Sequence, residues 1–266
     1  MTFDVDGYLH RIGYAGPREP TADVLRQLQR AHLLAVPFEN LDINPAGTPI
    51  LLSGDALFDK VVARRRGGFC YELNGLFAIA LEQLGYDVSL VAGQVSRGNG
   101  TFGPEFDHLA LLVRVDGATY LADVGFGDFS MEPLDLSVRG PQQPRGGGKA
   151  FAVDPVGDDV WVTREPPGDD GWTDGYRFTV RPRRLEDFTA QCRWFETDPD
   201  SHFRKKRVCS IATADGRVTL TYTELIVTCD GERVVTPVSP EEWPAVLADR
   251  FGIAVRVGVG RVSGQL

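Results

Sequence analysis

The sequence predicts an α+β protein in three consecutive segments, residues 1–85, 86–190 and 191–266, and three observations carry that prediction. Up to residue 85 apolar side chains recur at spacings of three and four, the period of helices. After Gly85 the pattern changes to short Val-, Leu- and Thr-rich runs broken by Asp-Gly and Gly-rich turns, as in antiparallel strands. Beyond about residue 190 the two patterns mix. A chain of 266 residues has room for two or three sub-domains, and 42% hydrophobic with 24% charged residues is an ordinary globular composition.

Thr21 caps a predicted helix carrying Val24, Leu25, Leu28, Ala31 and Ala35, which Pro37 stops. Pro37-Phe38-Glu39-Asn40-Leu41 reads as a turn. Glu39 and Arg64–Arg66 are expected to be solvated, because exposed ion pairs contribute little. Ser53 starts a second helix through Leu57, Phe58, Val61 and Val62. A third runs from Cys70 with Leu73, Leu76, Phe77, Ala80, Leu81 and Leu84 as an amphipathic stripe. His10 and His32 are read as structural.

Val88–Val95 is a predicted strand. Gly98, Gly100 and Gly103 satisfy G-x-G-x-x-G, but a strand follows where a dinucleotide site needs a helix. Phe106–Val115 and Ala118–Val124 form a hairpin around Asp116-Gly117, with further strands near Phe151–Val153, Trp161–Thr163 and Arg177–Val180. Asp215-Gly216 and Asp230-Gly231 predict two more hairpins. Ser239, Pro240 and Glu242 open a final helix through Leu247, which Gly252 ends.

A net charge of −9 argues against general binding of nucleic acid or of an anionic membrane surface. The acidic N-terminus does not resemble a signal peptide, and no apolar run reaches the length of a membrane span. The four cysteines form no C-x-x-C pair, so no structural metal is expected, and a cytoplasmic protein with free thiols is the simplest reading. Arg204-Lys205-Lys206-Arg207 is a basic run that is either a solvated surface or a phosphate contact. Nothing in the sequence sets an oligomeric state.

The candidate chemistry centres on Arg64-Arg65-Arg66-Gly67-Gly68-Phe69-Cys70. A cysteine in a helix's first turn meets unpaired N–H groups and the positive end of the dipole, which lower its pKa. Gly67 and Gly68 are expected to leave its sulfur open to a substrate. In the hairpin, a two-residue turn makes paired residue numbers sum to 233. His108 then faces Gly125, which leaves room around its ring, and Asp123 lies diagonally on the same face. A carboxylate that orients a histidine is half of a nucleophilic triad, and Cys70 supplies the rest if its helix docks against this hairpin.

Together Pro37–Leu41, Arg65–Cys70, His108–Val113 and Ala122-Asp123-Val124-Gly125-Phe126-Gly127 resemble, in order, the blocks of the arylamine N-acetyltransferase family. The resemblance is diffuse beyond about residue 140. It implies a helical first domain carrying the cysteine, a β-barrel-like second carrying His and Asp, and an α/β lid. It also implies a cysteine-protease-like core with Cys70, His108 and Asp123 as the triad. Acetyl-CoA would be the donor and an arylamine or arylhydrazine the acceptor. Phe38, Gly125, Phe126, Gly127 and Phe203 would contact substrate, and Ser201, Arg204 and Lys205 the cofactor. Asp107 and Asp128 depart from the family pattern, which has a small hydroxyl residue and a glycine there.

On this reading Cys70 forms a thioester, His108 holds the thiolate in an ion pair and later takes the amine's proton, and turnover is ping-pong. The same triad would also serve a hydrolase or an amide synthase acting on another acyl donor. A non-catalytic binding protein with a buried Cys70 is the alternative from a different class.

Overall fold

Helix α4 (Cys70–Gln83) is the element on which the first helices and the start of the large sheet pack. Instead of one buried stripe, nearly every side chain from Cys70 to Leu81 is buried, Glu72 and Asn74 included. The reason is that α4 is covered on more than one side. Helices α1 (Val5–Arg11) and α3 (Gly54–Phe58) lie against it, as do strands β2 (Asp87–Val95) and β3 (His108–Val115). Helix α2 (Ala22–Ala35), capped by Thr21 as predicted, completes this layer. The second predicted helix stops at Phe58 and continues as a wider π turn over Asp59–Ala63. This computed structural model describes residues 3–43, 47–145, 147–168 and 171–254.

Strands β2 and β3 belong to a seven-stranded antiparallel sheet with β4 (Ala118–Ala122), β5 (Leu134–Asp135), β6 (Ala152–Pro155), β7 (Val160–Gly168) and β8 (Gly171–Thr179). Its order is β5-β4-β3-β2-β8-β7-β6. An isolated bridge between Gln142 and Phe151 draws the two edges together, so the sheet is a nearly closed barrel. Alternate residues of β3 serve different cores. Leu109, Leu111 and Val113 pack with the helices, while Ala110 and Leu112 face the barrel interior with Tyr176 and Phe178. Val115 pairs with Ala118 and Leu111 with Ala122, the register that the Asp116-Gly117 turn predicts.

The third segment forms β9 (Cys209–Ala212), β10 (Gly216–Leu220), β11 (Glu224–Cys229), β12 (Glu232–Pro237) and α7 (Trp243–Phe251). Gly216 is the first residue of β10 rather than part of the preceding turn. The Ser239–Glu242 capping box forms one turn before α7, and Gly252 ends the helix in the left-handed region. Two features cross the expected segment boundaries. Strand β1 (Phe38–Glu39) pairs with β9 at the edge of the third segment's sheet. Helix α5 (Thr189–Thr197) spans the boundary at residue 190 and buries Cys192 and Phe195 among the first helices. Residues 255–266 of the expected third segment lie outside the described residues. Among the described residues no helix is long and apolar enough to cross a membrane.

Candidate active site

The turn that delivers Cys70 is built by close backbone contact. A Cβ on Gly67 would lie 2.0 Å from the Pro37 carbonyl oxygen, so only glycine lets these segments meet. The Glu72 carboxylate accepts the Phe69 N–H at 3.2 Å, which closes the start of α4. Lys60 binds Glu72 at 2.7 Å and Asp42 at 2.8 Å; Arg66 binds Glu39 at 2.7 Å and Asp42 at 3.0 Å. Glu39 is fully buried, so the expectation of solvated charges holds for Arg64 and Arg65 but fails for Glu39 and Arg66. Buried charges require partners, and this turn supplies them from both signs at once.

His108 opens β3 and Asp123 follows β4, on the face that the register predicts. His108 Nε2 lies 2.7 Å from Asp123 Oδ2. An ionised carboxylate only accepts, so Nε2 carries the hydrogen and Nδ1 is the nitrogen left for another partner. Asp123 Oδ1 also accepts from Asn74 Nδ2 and from the Gly125 N–H, both at 2.8 Å, and Oδ2 accepts from the Tyr176 hydroxyl at 2.9 Å. Burial pushes the Asp123 carboxyl up, but His108 and the donors from Asn74 and Gly125 outweigh it and hold it below the usual range.

Asn74 lies one turn after Cys70 and joins α4 to the hairpin. Besides Asp123 it donates to the Leu109 carbonyl at 2.7 Å and accepts the Val124 N–H at 2.9 Å. The Leu109 backbone also acts on the Cys70 thiol, lowering its pKa, so the thiol lies near the residue next to His108. Gly125 does not serve the imidazole as expected. A Cβ there would lie 2.7 Å from Cys70 Cα and 2.8 Å from Asn74 Nδ2, so its missing side chain is what lets α4 approach. The space beside His108 comes instead from Gly93, its partner in β2, where a Cβ would meet His108 Cβ at 3.2 Å.

Cys70 is 3% exposed, so its sulfur is not open in the way the glycines suggested. Burial pushes its thiol well above the ordinary value. The Leu109 hydrogen bond opposes that rise, while Asp123 and Asp107 add to it. Burial and two nearby carboxylates thus work against the depressed thiol that the helix terminus predicts.

Comparison with known proteins identifies a family. An N-acetyltransferase family pattern matches residues 21–259. The chain belongs to the arylamine N-acetyltransferase family. The arylamine N-acetyltransferase of Mycolicibacterium smegmatis is 36% identical over 98% of this chain and 96% of its own length. Proansamycin X synthase of Amycolatopsis mediterranei is 33% identical over 92% of this chain and 96% of its own. The solved arylamine N-acetyltransferase of Salmonella typhimurium superposes with a TM-score of 0.88 at 30% identity, covering 100% of this chain and 95% of that one. The chain is thus an enzyme of an acyltransferase family.

In this arylamine N-acetyltransferase the expected substrate contacts fall into two aromatic groups. Phe126 packs its ring 5.0 Å from His108 and 4.8 Å from Tyr176. Phe38 lies 6.1 Å from Phe203, which also meets Phe69 at 5.5 Å and Phe195 at 5.0 Å. Gly127 has φ +86° and gives its carbonyl to Arg217 at 2.6 Å; Asp128, beside it, binds Lys149 at 2.7 Å. Ser201 is fully buried and donates to the Phe195 carbonyl at 2.9 Å, so its hydroxyl faces inward rather than toward a cofactor. Arg204 and Lys205 are exposed on the short helix α6 (His202–Lys205); Arg204 reaches the Glu196 carbonyl and Lys205 binds Asp200 at 2.9 Å.

Asn74, Tyr176 and Gln29 escaped the sequence reading. Gln29 Oε1 accepts the Asp123 N–H at 3.2 Å. Asn74 had a usable signal, since it stands four residues after Cys70 on the same helix face. Tyr176 and Gln29 reach Asp123 across unrelated strands and helices, and no local pattern marks them.

Proposed function

We propose that this enzyme transfers an acetyl group from acetyl-CoA to an arylamine or arylhydrazine through a thioester on Cys70. His108 Nδ1 takes the thiol proton as the sulfur attacks the acetyl carbonyl. Collapse of the tetrahedral intermediate expels the CoA thiolate, which recovers that proton from His108. The amine then attacks the Cys70 thioester, His108 accepts its proton, and the sulfur leaves. Asp123 orients the imidazole and stabilises its charged form. N–H groups in the first turn of α4 are the natural donors to the oxyanion.

The observation that carries this reading is the bond from His108 to a fully hydrogen-bonded Asp123, with the Cys70 helix tied to the same hairpin through Asn74 and packed against Gly125. Phe126 and the group of Phe38 and Phe203 supply apolar surface suited to a neutral aromatic amine. With the Ser201 hydroxyl turned inward, the CoA phosphates are assigned to Arg204 and Lys205, the latter exchanging Asp200 for phosphate. Brief incubation with acetyl-CoA is expected to add one acetyl group by intact mass. The adduct should be absent in Cys70→Ala, which should also lose turnover, and an arylamine should discharge it.

The relationship to proansamycin X synthase favours a second reading, amide synthesis from a different acyl donor. An unacetylated but readily alkylated Cys70 would select it.

A further inference from the structure

Two residues before His108 the backbone turns through a conformation that bulky residues seldom adopt. Phe106 has φ +67°. Such a geometry persists only when its surroundings over-determine it. Here they do. The Tyr71 hydroxyl donates to the Phe106 carbonyl. The Phe188 ring stands edge-on to Phe106 at 5.1 Å, and the Arg183 guanidinium lies 5.0 Å from its ring. Arg183 is itself fixed through its N–H to the Leu90 carbonyl at 2.8 Å and through Glu105. Tyr71 is seated among Phe69 at 4.9 Å, Phe188 at 5.3 Å and Phe195 at 6.0 Å.

The positions of the two partners give this contact its meaning. Tyr71 directly follows Cys70, and Phe106 directly precedes the Asp107-His108 pair. Asn74, on the same helix, holds the Leu109 carbonyl from the other side. Helix α4 therefore grips the backbone on both sides of His108, at Phe106 and at Leu109. Only the Phe106 side is strained, so only that side would relax if released.

We propose that Tyr71 and Phe106 are positioning residues: their hydrogen bond keeps the chain in its left-handed turn and thereby sets His108 against the Cys70 sulfur. The proposal rests on the Cys70–His108 partnership described above. Loss of the hydroxyl removes the one hydrogen bond among the contacts that hold Phe106 at positive φ, and the loosened turn lets the imidazole shift off its line to the thiol.

Tyr71→Phe keeps the ring and removes only the hydrogen bond. Three quantities test it: the pH dependence of Cys70 alkylation by iodoacetamide, the rate of Cys70 acetylation by acetyl-CoA, and the melting temperature. The expected result is about a tenfold or greater loss in both Cys70 reactions at neutral pH. The alkylation midpoint should move upward and the KM for acetyl-CoA should not change. Phe106→Val, which a β-branched side chain makes incompatible with positive φ, should show the same shift. Phe106→Asn tolerates the turn and should lose less than Phe106→Val. If Phe106→Val fails to fold, Tyr71→Phe alone decides. A wild-type midpoint and acetylation rate in Tyr71→Phe would overturn the proposal. A wild-type protein that alkylates normally but takes no acetyl group would instead sink the acetyl donor reading, with the alkylation comparison still testing the clamp.

Discussion

Asp107 lies half-buried beside His108, its own carboxyl pushed up by burial, and its charge adds to that of Asp123 in raising the Cys70 thiol. Replacing it with Asn removes a negative charge that disfavours the thiolate. Asp107→Asn should therefore shift the Cys70 alkylation midpoint downward, read from iodoacetamide rates against pH; an upward shift would contradict the electrostatic account. His32 is buried against the Tyr8 hydroxyl at 2.8 Å, and burial lowers its pKa from 6.5 to about 3. The unfolded chain thus takes up this proton first as the pH falls. The stability present above 6.5 should decline by about 1.4 kcal/mol per pH unit on the way down to about 3, from this group alone. His32→Gln should flatten that part of the profile in urea titrations. The sequence marked His32 as structural because no partner stood near it in the chain. Its partner, Tyr8, comes from a different helix.

At the scale of elements, α4 and the β3–β4 hairpin meet through Asn74. Asn74→Ala would leave the Leu109 carbonyl and Val124 N–H buried without that partner and take one donor from Asp123. A loss of about 3 kcal/mol is expected, measured by chemical denaturation, together with slower acetylation. The turn and the pairs next to it were legible because Asp116-Gly117, at φ +54° and +76°, fixes the register. The expected strands ran from Phe106 and to Val124, whereas the β3–β4 ladder ends at Leu111 and Ala122 and His108 meets Asp123 just beyond it. The depth of α4 was not legible. Periodicity reports the apolar stripe but not Glu72 and Asn74, polar residues that are buried because distant groups satisfy them. Nor was β1 legible, since two residues are too few to show alternation and their pairing partner lies far along the chain. The raised Cys70 thiol was missed for a similar reason: helix position can be read locally, whereas desolvation depends on everything packed around it.

Across the whole molecule, charges buried near the active site come from separated segments and neutralise one another. Lys60 is held charged by Glu72, Glu39 and Asp42 despite its burial. Lys60→Met would leave carboxylates without their cation and should cost about 3–5 kcal/mol. Removing the exposed Arg64, whose pair with Asp59 lies in solvent, should cost under about 1 kcal/mol. Urea denaturation of the two variants side by side checks the contrast; equal losses would mean that the buried network is not what braces the cysteine turn.

The aromatic cover over Phe69 and Tyr71, the neighbours of Cys70, comes from Phe188, Phe195 and Phe203, and β1 waits for Ser210 and Cys209 to pair. A ribosome releases the chain from its N-terminus, so more than a hundred residues must be added after the cysteine before its surroundings can close. During that interval the thiol lacks the groups that bury it in the finished fold. The burial that shields this sulfur is therefore a property of the complete chain, supplied by its final third and not by the segment that carries the cysteine.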